Sequence, residues 1–419
     1  MKIATIIIFA LLIFSACTTA SSDTYPYQSG QGTTSTQGYT TPLPTPGIEE
    51  YTTPSPEAQT SNEPSQTDDI VAYWLSTLTL EEKIGQLIMP RLPWQTTAMT
   101  PTLQSWLDQV PFGGFILFTD NAESLEQVTQ LTTDLQSWAN LPLLISIDEE
   151  GGRVSRVGRL FEGGPTQAAF DIGLTGDTQH AYDIAATNAN RLRGLGINTN
   201  FAPVADVWSN PANQVIGTRA FGHSPSVVSP MVAATVNGLQ NNGVLATLKH
   251  FPGHGDTYED SHFQLAFHNH DIYRFWEIEA LPFIAGIEAG AAAIMTGHIS
   301  TPYIGGHQAL LPWMQPWIDS GDLPATFSSF WLQDVLRGQM GFEGLIVTDG
   351  LEMRALADHF TCGQIALGAF LAGADILLIP TNPVEAFTAL VDGYHQGLFT
   401  RERLVESVTR ILNAKAQVQ

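Results

Sequence analysis

With 419 residues, 43% of them hydrophobic and 10% aromatic, the chain can fill one large domain or two ordinary ones. A formal net charge of −24 at pH 7 argues against nucleic acid, whose phosphates need neutralising by Lys and Arg, and against electrostatic docking on an anionic bilayer. Cys17 and Cys362 are the two cysteines, so neither a disulfide framework nor a cysteine-rich metal site is available.

The chain opens on Met1-Lys2 and an apolar run from Ile3 to Phe14, short for a membrane span but suited to the core of a secretory signal peptide. Phe14-Ser15-Ala16-Cys17 resembles a bacterial lipobox, which implies lipidation at Cys17, a membrane anchor and an extracytoplasmic location. Without the lipid the protein is expected to be secreted. Residues 18–67 are rich in Thr, Ser, Pro, Gln and Gly and read as a disordered linker. As a flexible coil it would span on the order of 40 Å.

A single catalytic domain is expected over residues 68–419. Apolar runs that read as buried strands lie at Gln86–Met89, Gly114–Phe118, Leu143–Asp148, Thr199–Asp206, Leu245–His250, Ala292–His298, Leu345–Asp349 and Asp375–Ile379. Amphipathic helical patterns fall between them near Leu125–Trp138, Ala181–Leu195, Pro230–Asn241, Ile272–Glu288, Phe330–Gln339 and Gly363–Ala372. Arg401–Ala414 follows as a last helix. Eight such strands alternating with helices predict an α/β fold of the (β/α)8 TIM-type barrel class, with a doubly wound open sheet as the alternative.

In a barrel, function sits at the C-terminal ends of strands. Asp148, Asp206, Lys249 with His250, His298 and Asp349 all stand at such ends. The densest stretch runs from Lys249 to His262 and places three histidines, one lysine and three carboxylates in fourteen residues broken by Pro252, Gly253 and Gly255. Titratable groups on a loop after a buried strand suit proton transfer. No compact His-x-x-x-His or His-Glu-x-x-His spacing supports a metal, and no Walker-type loop or Gly-x-Ser-x-Gly elbow is present. No cofactor is expected.

Acid/base and nucleophilic work on a sugar needs a carboxylate beneath the anomeric carbon and a proton donor above the leaving oxygen. Asp349, held by an apolar strand and followed by Gly350, suits the first role. Asp260-Ser261-His262 suits the second, because a carboxylate two residues away can fix the imidazole tautomer.

The segment Lys249-His250-Phe251-Pro252-Gly253-His254-Gly255-Asp256-Thr257 through Asp260-Ser261-His262 resembles the signature of glycoside hydrolase family 3, in its bacterial β-N-acetylglucosaminidase branch. The likeness extends through Ile147–Val154, Phe201–Val207, Ile216–Gly222 and Gly341–Met353 and covers residues 70–415 in order. It implies that Asp349 is the nucleophile of a retaining mechanism and that His262 is the acid/base, oriented by Asp260. It further implies that Asp148, Arg219, Lys249 and His250 hydrogen-bond the sugar in the first subsite, with His298 lining the same pocket. The expected activity is exo-cleavage of β-linked N-acetylglucosamine from peptidoglycan fragments or chitin oligosaccharides, by a monomer. A β-glucosidase, a phosphorylase using phosphate in place of water, and a lipid-anchored sugar-binding protein are the competing readings. Relatives often carry a second α/β domain after the barrel, and none is expected in this sequence.

Overall fold

The computed structural model describes residues 66–418. The export segment, Cys17 and the linker as far as residue 65 lie outside the described residues.

Eight parallel strands form the core: β1 Ile88–Met89, β2 Gly114–Leu117, β3 Leu144–Ile147, β4 Thr199–Asn200, β5 Leu245–Phe251, β6 Ala293–Thr296, β7 Leu345–Thr348 and β8 Leu377–Leu378. Each falls on an apolar run read from the sequence. Their four-residue members are buried throughout, as parallel strands covered by helices must be. Neighbours pair in chain order from β2 to β7. Closure rests on the remaining contacts. Val347 bridges to Ile376 just before β8, β8 pairs with β1 through Leu377 with Ile88, and Arg91 bridges to Ile116 of β2. The sheet therefore returns on itself, which decides for the barrel over the open sheet.

The helix Leu125–Trp138 shows how the outer layer attaches. Ser124 caps it by accepting from the Gln127 N–H, and Val128, Leu131 and Leu135 bury one face at helical spacing. Leu131→Ala would cost about 2–5 kcal/mol through the cavity it leaves.

Several elements differ from the sequence reading. A helix spans Gln66–Thr77 and so takes in the last two residues of the expected linker. Helices Leu80–Gln86, Pro101–Gln109 and Pro383–His395 also form where none was predicted. The helix expected from Pro230 begins at Pro225 and carries Pro230 inside it. The expected strand Thr199–Asp206 is regular only over Thr199–Asn200, since Pro203 has no N–H to give, yet the segment stays against β5: the Ala202 and Pro203 carbonyls accept from the Thr247 and Lys249 N–H groups at 2.9 and 3.3 Å, and Ala205 donates to the Lys249 carbonyl at 2.7 Å. These bonds set Asp206 against the end of β5.

Asp375 ties the barrel to its surroundings. It is fully buried and accepts from Arg337 Nη2 at 2.6 Å, from the Ile346 N–H at 3.0 Å and from the Ser407 hydroxyl, with Arg410 at 3.4 Å. Strand β7 and the helix Arg401–Ala416 are thus joined through one carboxylate.

Candidate active site

The strand ends surround an open cleft of about 780 Å³ lined by Asp148, Glu150, Lys249, His250, His262 and Asp349, with Phe118, Phe201 and Met295 supplying apolar wall. A strand normally sends successive side chains to opposite faces. Lys249 and His250 both reach the cleft because β5 carries one extra residue against β6 between Leu248 and Phe251.

Lys249 is 2% exposed and would be costly to bury alone. Its Nζ donates to Asp148 Oδ1 at 2.7 Å and lies 2.6 Å from Glu150 Oε1. Glu150 in turn accepts two bonds from Arg219, from Nε and Nη2, both at 2.9 Å. Burial alone would push the Glu150 carboxyl up, but Arg219 and Lys249 outweigh it and hold the group far below the ordinary carboxylate range. For Arg219 burial acts downward, and Glu150, Asp148 and Asp206 together hold the guanidinium above its usual value. The cleft floor is therefore a fixed set of charges whose remaining lone pairs and N–H groups can meet sugar hydroxyls.

Asp206 organises the next strand end. It accepts from His250 Nδ1 at 2.7 Å, from the His250 N–H at 3.2 Å and from the His254 N–H at 2.6 Å. His250 Nε2 lies 3.2 Å from Arg219 Nη2, which can only donate. His254 is buried, with ring contacts to Thr257 Oγ1 at 2.6 Å and Ser261 Oγ at 3.1 Å. It pins the loop to its own start rather than reaching the cleft.

Asp349 follows β7. Its N–H donates to the Thr296 carbonyl at 2.9 Å and its Oδ1 accepts from the Gly350 N–H at 2.7 Å. Burial would raise its carboxyl, but the imidazoles of His250, His298 and His262 and the Gly350 N–H hold it down at about 2. Across the cleft mouth, His262 Nδ1 meets Asp260 Oδ1 at 2.7 Å, and the same oxygen takes the His262 N–H at 3.0 Å. The His262 side chain is 60% exposed, so its ring stands free at the rim.

His298 is placed differently from expectation. It is fully buried and does not line the cleft: Nε2 donates to the Gly350 carbonyl at 3.0 Å and Nδ1 accepts from Thr326 Oγ1 at 2.8 Å. With both nitrogens engaged it braces the turn after Asp349. The other expected residues, Asp148, Arg219, Lys249, His250, His262 and Asp349, share the cleft, with Asp260 behind His262.

Sequence reasoning left out Glu150, Arg156 and Glu352, which also line it. A signal for Glu150 was present, since Asp148 and Glu150 are two apart and share a face of an extended chain. Glu149 between them belongs to a small antiparallel hairpin, Glu149–Gly151 with Val154–Ser155, and accepts from the Arg156 and Val157 N–H groups at 2.8 and 3.0 Å.

Residues 79–414 match the family model described as the glycosyl hydrolase family 3 N terminal domain. The chain belongs to glycosyl hydrolase family 3. Among curated relatives, it is 36% identical over 340 residues to "Beta-hexosaminidase A" of Pseudoalteromonas piscicida, covering 77% of this chain and 56% of that protein. It is 35% identical over 289 residues to "Beta-hexosaminidase" of Stenotrophomonas maltophilia strain K279a, covering 68% and 80%. A solved family 3 β-N-acetylglucosaminidase from Paenibacillus sp. str. FPU-7 superposes with a TM-score of 0.73 at 38% identity, covering 81% of this chain and 62% of that one. The chain thus spans little more than half of the first relative and less than two thirds of the solved neighbour.

Proposed function

We propose that this family 3 protein is an exo-acting retaining β-N-acetylglucosaminidase that releases terminal β-linked N-acetylglucosamine from chitin oligosaccharides or peptidoglycan fragments. The observation that carries this reading is the pairing of Asp349 beneath the cleft with the Asp260–His262 couple at its rim. A nucleophile must be ionised, and Asp349 is held at about 2. A general acid must deliver a proton and later recover one. His262 engages Asp260 through Nδ1, leaving Nε2 for that work.

In the first step Asp349 attacks C1 while the His262 Nε2 proton passes to the glycosidic oxygen, so the C1–O bond breaks as the glycosyl–Asp ester forms. In the second, Nε2 takes a proton from water, whose oxygen attacks C1 and expels the Asp349 carboxylate. Two inversions give retention. Asp148, Lys249, Arg219 and His250 fix the sugar hydroxyls in the same cleft as Asp349. The names of the hexosaminidase relatives support the N-acetyl sugar. Export with lipidation at Cys17 belongs to the same proposal and places the substrate outside the cytoplasm.

The test is hydrolysis of aryl β-N-acetylglucosaminide beside aryl β-glucoside, with and without inorganic phosphate. Preference for the N-acetyl sugar, with water as acceptor, is expected. Phosphate-dependent release of sugar 1-phosphate would make the protein a phosphorylase, and inactivity on every sugar would leave a binding protein.

A further inference from the structure

The loop that carries the proton donor is anchored unevenly. Its first half is tied down: the His254 N–H donates to Asp206 Oδ1 and the His254 carbonyl accepts from Asn213 Nδ2, both at 2.6 Å. Asn210 Nδ2 reaches the Asp256 and Thr257 carbonyls, both at 3.3 Å. Gly255 runs so close to the neighbouring segment that a Cβ there would come within 1.8 Å of the Val207 carbonyl oxygen. The second half has few such ties, and Tyr258 and Phe263 are 72% and 65% exposed. Apart from bonds among themselves, residues 258–263 reach the rest of the protein through three hydrogen bonds. Two are long: the Phe267 N–H to Glu259 Oε2 and the Arg354 N–H to the His262 carbonyl, both at 3.4 Å. The third joins Ser261 Oγ to His254 Nε2 at 3.1 Å.

Ser261 is buried, although it stands between the partly exposed Asp260 and the open ring of His262. His254, buried as well, engages both hydroxyls of the loop, Thr257 Oγ1 through Nδ1 and Ser261 Oγ through Nε2. A hydroxyl can donate or accept, so both bonds form with the ring proton on either nitrogen. Burial, with His250 nearby, lowers His254 to about 4, so at neutral pH this imidazole is uncharged. Arg219, His250, Asp206, His254 and Ser261 thus form one hydrogen-bonded chain from the cleft floor to the residue before the proton donor.

Proton transfer weakens sharply when the donor is misplaced by about an ångström. Asp260 orients the His262 ring, but both sit on the same lightly tied half of the loop. Their mutual bond therefore fixes neither against the cleft. We propose that His254 and Ser261 are positioning residues for the acid/base, their buried Nε2–Oγ bond holding the Asp260–His262 couple over the cleft. This deepens the β-N-acetylglucosaminidase reading and rests on it.

The test uses the full chain and Ser261→Ala, which removes the bond and leaves the floor, Asp349, Asp260 and His262 in place. For chitotriose, whose leaving group needs a proton, kcat/KM should fall about tenfold. For dinitrophenyl N-acetyl-β-glucosaminide, whose leaving group needs none, it should stay within about twofold. His254→Leu should show the same split, and His254→Gln, which keeps a polar group at that site, a smaller one. In His262→Ala, adding Ser261→Ala should cost nothing more, because no donor remains to be positioned. Equal losses on both substrates, or a further loss in the double variant, would show a general structural role and overturn the proposal. So would an unchanged chitotriose value. If the wild type cleaves no sugar, the hydrolase reading fails and the tether is judged by amide hydrogen exchange. Residues 257–263 should then exchange faster in Ser261→Ala than in the wild type, and identical exchange would refute it.

Discussion

Asp206 grips His250 twice, accepting from ring Nδ1 at 2.7 Å and from the main-chain N–H at 3.2 Å, and neither residue has more than marginal contact with solvent. This couple sets which His250 nitrogen faces Arg219 and holds the start of the loop that ends at His262. Replacing Asp206 by Asn keeps the shape and removes the charge. A hydrogen bond to a charged group contributes about 1.5–3 kcal/mol, so kcat/KM should fall on the order of 10- to 100-fold. Steady-state kinetics beside a thermal melt separate this from simple unfolding, and full activity would show that the couple does not position the site.

Loss of the proton donor should depend on the leaving group. In His262→Ala, turnover of chitotriose should drop by roughly 10²- to 10⁴-fold, while a dinitrophenyl glycoside, which needs no proton to leave, should form its glycosyl-enzyme nearly as fast as before. Azide should then accelerate the second step and yield a β-glycosyl azide. Equal losses on both substrates, with no azide effect, would count against His262 as the acid/base.

Three buried groups, one on the loop and two behind it, predict how stability follows pH. Burial, with His250 nearby, lowers His254 from 6.5 to about 4, and burial with His270 nearby does the same to His268. Between those values the unfolded chain binds more protons, so this contribution is complete above about 6.5 and is lost as pH falls to about 4. Glu279 works in the opposite sense. Burial raises it from 4.5 to about 7 against the pull of Arg274, so its contribution is present at low pH and lost as pH rises through 7. Two histidines oppose one glutamate, and denaturant melts should show stability falling from pH 6.5 to 4.5. Glu279→Gln should steepen that fall, and an unchanged slope would rule Glu279 out as the opposing group.

The Asp375 cluster should matter for stability and not for chemistry. Asp375→Ala leaves Arg337, half of a buried ion pair, without its partner and strips an acceptor from the Ile346 N–H. A loss of about 3–5 kcal/mol is expected from urea unfolding. A change below about 1 kcal/mol would mean that the surrounding arginines and water compensate.

The barrel was legible because most of its strands sit on short apolar runs, such as Gly114–Leu117 and Ala293–Thr296, a pattern that survives any detail of pairing. Closure was not legible, since the β1–β8 pairing of Ile88 with Leu377 joins residues nearly three hundred positions apart. The unpredicted helices are short or flank the strands, although Thr79-Leu80-Glu81-Glu82 forms a capping box in which Thr79 and Glu82 each satisfy the other's N–H. At the site, strand ends located Asp148, Lys249, His250 and Asp349. The same rule misplaced His298, because an imidazole at a strand end can equally satisfy a buried carbonyl, here that of Gly350. The Glu150–Arg219 pair was hidden for a related reason, as its members stand 69 residues apart and only the fold brings them to 2.9 Å.

The most direct test of Asp349 as nucleophile is peptide mapping by mass spectrometry after exposure to 5-fluoro-N-acetyl-β-glucosaminyl fluoride. The fluorine slows both steps while the fluoride leaving group favours the first, so the glycosyl-enzyme accumulates. One sugar on the peptide bearing Asp349, absent in Asp349→Asn, is expected. Turnover without any adduct, or an adduct on another carboxylate, would contradict the mechanism and direct attention to the substrate's own N-acetyl group or to a different nucleophile.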